Sequence, residues 1–137
     1  MNHRHLFSHL TAATLLALSF TAQAQTAAGA LPADKTLPSG VAMKWTASGS
    51  GASPQATDTV QVHYRGTLMD GTEFDSSFKR GEPATFPLNR VVPCWTQALQ
   101  EMKVGDTADV TCPPATAYGE RGIPGVIPGN SVLAFQV

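Results

Sequence analysis

The chain has 137 residues, 42% of them hydrophobic, with nine Lys and Arg against ten Asp and Glu and a formal charge of −1. That length sets one domain, and the near-neutral balance excludes the basic excess that nucleic acid or an anionic membrane surface would require. Beyond His3, His5 and His9 near the N-terminus, His63 and two cysteines are a poor supply for a zinc site, which takes about four ligands at close spacing.

The N-terminus reads as a targeting segment. His3, Arg4 and His5 give a basic opening, an apolar run follows from Leu10 to Phe20, and Ala22-Gln23-Ala24 ends it. This is the layout of a secretory signal peptide with cleavage after Ala24. The apolar run is shorter than the ~20 residues that span hydrocarbon. Cleavage removes Arg4 and no acidic residue, taking the charge from −1 to −2. It leaves His63 as the sole histidine, so any serine–histidine chemistry would have to use it.

Residues 25–38 are rich in Ala, Thr and Pro and read as a flexible leader, with the domain at 39–137. Val41, Met43 and Trp45 alternate as in a strand, and Ser48 to Thr57 reads as a loop. Thr59 to Met69 predicts one continuous strand, with Val60, Val62, Tyr64, Gly66 and Leu68 on one face. Asp70-Gly71 predicts a two-residue hairpin turn with both positions at positive φ. The partner strand runs from Thr72 to Asp75, and Ala84 to Leu88 returns as a short strand.

One helix is predicted. Trp95, Ala98, Leu99 and Met102 form an apolar face, with Pro93 near its start and Gly105 past its end. Ala108, Val110 and Cys112 alternate again. Pro113 to Asn130 carries four prolines and four glycines and reads as a long loop, and Ser131 to Val137 is the last strand. These elements predict an α+β domain with the helix packed on an antiparallel sheet.

Catalytic constellations are scarce. Asp70, Glu73 and Asp75 cluster, but an acidic turn explains them better than a hydrolytic pair of positioned carboxyls. There is no glycine-rich phosphate loop and no internal repeat. Aromatic and branched residues beside loops are the prominent feature, and each taken alone reads as core.

Taken together, these residues resemble a family. Val62-His63-Tyr64-Arg65-Gly66, the Asp70-Gly71 turn and Phe74-Asp75-Ser76-Ser77 resemble the first half of the FKBP-type peptidyl-prolyl cis/trans isomerases. Val91-Val92-Pro93-Cys94-Trp95 with Met102-Lys103-Val104-Gly105 resemble their helix region. Ala117-Tyr118-Gly119, Ile123-Pro124-Gly125-Val126-Ile127-Pro128 and Leu133-Ala134-Phe135 resemble their long loop and last strand. The match covers about 39–137. The runs Pro83 to Phe86 and Trp95 to Gln100 are most similar to bacterial exported members of the macrophage-infectivity-potentiator type.

The resemblance implies a half-wrapped antiparallel sheet with a short helix across its concave face and a pocket between them. Trp95 would form the floor. Tyr64, Phe74, Phe86, Val92, Ile127 and Phe135 would form the walls. Val91 and Val92 would offer backbone groups, Asp75 and Tyr118 would sit at the rim, and Ile123 on the overhanging loop. Tyr64, Asp75 and Tyr118 are the implied catalytic residues, with no metal and no cofactor. The implied partners are proline-containing polypeptides, with macrolides of the tacrolimus class as inhibitors. A proline-segment binding module or holdase is the alternative activity. The dimeric members of the family carry a long helical N-terminal segment, which the leader is too short to supply, so a monomer is expected. An exported, periplasmic location follows from the signal. Cys94 stands where many members have glycine. Two cysteines in an exported chain favour a bridge, and two buried free thiols are the other reading.

Overall fold

The computed structural model describes residues 30–137, so the signal-peptide reading, residues 1–24, lies outside the described residues. The strands are β1 (Lys35–Thr36), β2 (Ala42–Ala47), β3 (Thr59–Val62), β4 (Arg65–Leu68), β5 (Glu73–Ser76), β6 (Ala84–Pro87), β7 (Thr107–Cys112) and β8 (Leu133–Gln136). The helices are α1 (Ser77–Arg80) and α2 (Pro93–Gln100), with single 3-10 turns at Leu88–Arg90 and Pro114–Thr116. Six strands form an antiparallel sheet in the order β1-β2-β7-β8-β4-β5, and β3 pairs with β6 apart from it. The α+β architecture expected from the sequence is the one observed.

Alternation builds the buried face. Met43 and Trp45 on β2, Ala108, Val110 and Cys112 on β7, and Leu133 and Phe135 on β8 are all buried. Onto them α2 lays Cys94, Trp95, Ala98 and Leu99. An eight-residue helix would not persist alone in water. Burial of its apolar face supplies the stability, at roughly 1.5–3 kcal/mol per large side chain. Pro93 starts it, and Thr96 Oγ1 donates to the Leu88 carbonyl at 2.7 Å. Cys94 and Cys112 are both fully buried and are bonded to each other, with Cα atoms 5.7 Å apart. Of the two readings the sequence left open, the bridge is the one observed. It fastens the first turn of α2 to the end of β7.

Four local expectations are corrected. The strand predicted across Thr59 to Met69 breaks at His63–Tyr64. There the Tyr64 N–H donates to Ser77 Oγ at 2.7 Å, and its carbonyl accepts from the Ser77 N–H at 2.9 Å. Backbone pairing with the start of α1 diverts β3 toward β6, while the period of two runs on unbroken. The Asp70-Gly71 turn is a three-residue loop. The Leu68 N–H donates to the Thr72 carbonyl, the Gly71 N–H to the Leu68 carbonyl, and only Gly71 has positive φ, 89°. This is a type I turn followed by a left-handed residue. Lys35–Thr36, inside the stretch read as leader, pairs with β2. The helix α1 was not expected. Ser76 caps it by accepting the Lys79 N–H, and Gly81 closes it at φ 76°.

The long loop is hydrogen-bonded throughout. Ile123 and Ile127 exchange two backbone bonds of 2.8 Å around a turn centred on Pro124-Gly125, where Gly125 has φ 76°. Proline then glycine at the two central positions is what a type II turn requires.

Asp106 ties three segments at the other end of α2. Its carboxylate accepts from the Gly49 N–H at 2.6 Å, the Lys103 N–H at 2.9 Å and the Trp45 indole at 2.9 Å. Burial pushes this carboxyl up, but the backbone and indole bonds together outweigh it and hold it below the usual carboxylate range. Because the folded value is depressed, the stabilisation is present above the unfolded value of about 3.9 and is lost as pH falls through the folded value. Replacing Asp106→Ala is expected to cost about 1–2 kcal/mol at pH 7 after discounting for partial exposure, read by urea unfolding. The cost should shrink below about pH 4.

Candidate active site

Trp95 sits in the first turn of α2, facing the sheet, and is 5% exposed. Three rings stand edge-on around it: Tyr64 at 5.0 Å, Phe135 at 5.3 Å and Phe86 at 5.6 Å between centroids, with interplanar angles of 83–89°. Tyr64 also meets Phe86 at 6.0 Å. Phe74 extends the wall by packing edge-on against Phe135 at 5.6 Å. Edge-to-face contacts of this kind favour the pairs beyond simple area burial. The indole N–H of Trp95 is buried with no acceptor among the described residues.

The strand geometry explains the wall. Gly66 lies between the rings of Phe74 and Phe135. A Cβ there would stand 2.6 Å from Phe74 Cζ and 2.9 Å from Phe135 Cε1. Only glycine lets both rings approach β4. Gly66 pairs with Asp75 on β5, which brings that carboxylate toward the Tyr64 ring.

The polar end is a closed trio. The Tyr64 hydroxyl donates to Asp75 Oδ2. Arg80 Nη1 donates to Asp75 Oδ1 at 2.5 Å, and Arg80 Nη2 donates to the Tyr64 hydroxyl oxygen at 3.0 Å. The guanidinium also lies over the Tyr64 ring, 5.7 Å from its centroid. Burial, then the Asp75 hydrogen bond, raises the Tyr64 pKa above that of a free phenol. For Asp75, burial pushes upward, but bonds from Tyr64 and Arg80 and the Arg80 charge outweigh it and hold the carboxyl low. At neutral pH the trio is therefore phenol, carboxylate and guanidinium. The single Tyr64 proton is directed to Asp75, so this hydroxyl orients the ring and has no proton left to give a ligand.

The other sequence-derived residues lie as follows. Val91 and Val92 lead into α2 and are half-buried; the Val91 carbonyl and Val92 N–H have no backbone partner among the described residues. Ile127 is buried and Ile123 packs against the core at the loop bridge. Tyr118 is exposed, and among the described residues nothing bonds its hydroxyl. Two positions that shape this cluster were missed. Gly66 was read only as part of a strand face. Arg80 was hidden because the Ser76 cap and Gly81 stop, which delimit α1, were read as a polar exit from the sheet. Among the described residues no cluster of three or more His, Cys, Asp or Glu could hold a metal ion.

The rings of Tyr64, Phe74, Phe86 and Phe135 gather around Trp95 of α2 into an apolar cluster with one internally neutralised polar edge. The profile of the family "FKBP-type peptidyl-prolyl cis-trans isomerase" matches residues 51–137, and the chain belongs to that family. It is 54% identical over 103 residues to the FKBP-type peptidyl-prolyl cis-trans isomerase FkpA of Aeromonas hydrophila, covering 75% of this chain and 38% of that protein. It is 50% identical over 106 residues to the peptidyl-prolyl cis-trans isomerase Mip of Coxiella burnetii, covering 77% of this chain and 46% of that one. The chain thus spans less than half the length of these relatives. Among solved structures it is similar to FkpA from Escherichia coli, at TM-score 0.72 and 45% identity over 75% of this chain and 48% of that one. It is equally similar in shape to a peptidyl-prolyl cis-trans isomerase from Pseudomonas syringae, at TM-score 0.72 and 36% identity over 78% of each chain.

Proposed function

We propose that the chain catalyses cis/trans rotation of Xaa-Pro bonds in exported polypeptides, acting after removal of residues 1–24. The observation that carries this reading is the perpendicular set of Tyr64, Phe86 and Phe135 around Trp95, a slot with the apolar lining a prolyl ring requires. The reaction needs no acid, base or metal. A planar amide resists rotation by ~18–20 kcal/mol because of its C–N double-bond character. Twisting breaks that conjugation and leaves a less polar carbonyl. A dry aromatic slot favours the twisted form over the planar one, which is differential binding of the transition state.

Within this reading each residue has a role. Trp95, Phe74, Phe86, Ile127 and Phe135 hold the prolyl ring. The free Val91 carbonyl and Val92 N–H pair with the substrate backbone. Ile123 covers the site from the loop. Tyr118 donates a hydrogen bond at the rim, and Asp75 with Arg80 fixes Tyr64. Macrolides of the tacrolimus class occupy the same slot. The chain acts as a monomer in the periplasm.

The test is the slow refolding phase of a client whose folding is limited by proline isomerisation. The chain is expected to accelerate that phase, and Tyr118→Phe to reduce the acceleration several-fold. Suppressed aggregation with an unchanged slow phase would favour the holdase alternative. Full activity of Tyr118→Phe would remove its rim role.

A further inference from the structure

Ten prolines are spread along the chain, and most are fixed in the fold. Pro38 follows the buried Leu37 in the turn after β1, Pro87 ends β6, Pro93 starts α2, and Pro124 lies in the turn that Ile123 and Ile127 close. Pro54 and Pro83 stand on loops, but Ser53 and Glu82 before them are polar. Pro32 is different. It is exposed, and Leu31 before it is 50% exposed. Of the large apolar side chains exposed among the described residues, Leu31 is the one that precedes a proline. Residues 30–34 have no regular structure and no backbone hydrogen bond among the described residues.

This Leu-Pro pair cannot enter the aromatic slot of its own chain while β1 stays in the sheet. One cross-strand row runs from Lys35 through Met43, Val110 and Phe135 to Gly66. At about 4.8 Å per strand, Lys35 stands roughly 14 Å from Phe135 and roughly 19 Å from Gly66. Pro32 is three residues before Lys35, which limits its reach to about 11 Å. The helix α2 lies across the direct path, tied to β7 by the Cys94–Cys112 bridge and to Lys35 by Glu101 at 2.7 Å.

We propose that the Leu31–Pro32 segment of one copy is a ligand of the aromatic slot of another. The inference rests on the reading of that slot as a prolyl site. The segment has what such a slot takes up: a prolyl ring, a large apolar residue before it, and small Ala30 and Ala33 on either side of the pair. The proline also fixes its own φ near −65°, so less freedom is lost on binding. The contact is head-to-tail and weak. At catalytic dilution the slot holds no leader and the chain acts as a monomer. Where the chain is concentrated, its own leaders compete with client prolines, and activity per molecule falls.

The test uses the 15N-labelled chain and its Trp95 indole signal. Raising the chain from tens of micromolar to millimolar should move that signal along a binding curve, and Pro32→Ala should abolish the movement. Pro32 is exposed, so the substitution leaves the fold intact, which an unchanged melting temperature checks. A capped peptide of residues 28–35, added to the dilute Pro32→Ala chain, should move the signal again. The Pro32→Ala version of that peptide should bind at least tenfold more weakly. On the isomerase reading, cis/trans exchange at Leu31–Pro32 should also rise in proportion to chain concentration. A Trp95 response without acceleration of any Xaa-Pro bond would leave the self-recognition standing and remove the isomerase. A Trp95 signal indifferent to concentration and to the peptide, with an Ala-Leu-Pro-Phe peptide still isomerised, would overturn the self-recognition alone. A signal that Pro32→Ala shifts equally at every concentration would put the leader in its own slot and overturn the head-to-tail contact.

Discussion

Reducing the Cys94–Cys112 bridge is expected to lower the melting temperature by about 12–24 °C. The bridge closes a loop with a sequence separation of 18 residues. Loop-closure entropy for a loop near this length gives roughly 3 kcal/mol. For a domain of about 100 residues each kcal/mol moves the melting temperature by roughly 4–8 °C. Both cysteines are fully buried, so reductant should act slowly on the native state and quickly in denaturant. The bridge fixes the turn that carries Trp95, so the loss should fall on the slot as well as on global stability. Calorimetry with and without reductant, against the Cys94→Ala/Cys112→Ala double variant, measures the effect. A shift below about 3 °C would mean the burial of α2 alone holds the helix in place. Disulfides form and persist mainly in oxidising compartments, which accords with an exported chain.

Asp75→Ala is expected to lower kcat/KM about tenfold, equivalent to ~1.4 kcal/mol of transition-state stabilisation. Removing the carboxylate takes away the acceptor of the Tyr64 hydroxyl and one of two anchors of Arg80. The ring that stands edge-on to Trp95 then loses its orientation. Arg80→Met should give a similar but smaller loss by leaving the carboxylate singly paired. Arg80→Lys should not restore activity, because an ammonium cannot reach both partners in the geometry of a planar fork. Tyr64 is raised and Asp75 lowered. Neither therefore changes charge between about pH 5 and pH 9, and kcat/KM should be flat across that window. The depressed Asp75 value adds stability that is present above about pH 4 and is lost as pH falls through the folded value. Unchanged kcat/KM in Asp75→Ala would mean that apolar binding alone carries catalysis.

The legible parts of the fold were those in which one side-chain period coincides with one element. Met43 and Trp45, Ala108 to Cys112, and Trp95 to Met102 each bury a single face, and the strands and helix they predicted are present. The hidden parts depend on bonds between residues distant in sequence. The period of two runs unbroken from Val60 to Leu68, yet Ser77 takes the Tyr64 backbone and splits the strand between two sheets. The acidic cluster at Asp70, Glu73 and Asp75 looked like turn solvation. Only the short helix α1, bringing Arg80 back over Tyr64, turns Asp75 into the shared partner of both groups. Gly66 looked like an ordinary strand glycine, because its need for two rings overhead is visible only once β5 and β8 flank β4. The aromatic set itself came from the family resemblance, since each ring taken singly reads as core.

The most direct measurement is two-dimensional NMR exchange on a short Ala-Leu-Pro-Phe peptide, with catalytic amounts of the chain and with or without tacrolimus. The expected result is cis/trans exchange far above the uncatalysed rate, returned to that rate by the macrolide, with Trp95 and Tyr64 signals shifting on macrolide binding. Exchange that stays at the uncatalysed rate while the macrolide binds the aromatic slot would contradict an isomerase and leave a binding module.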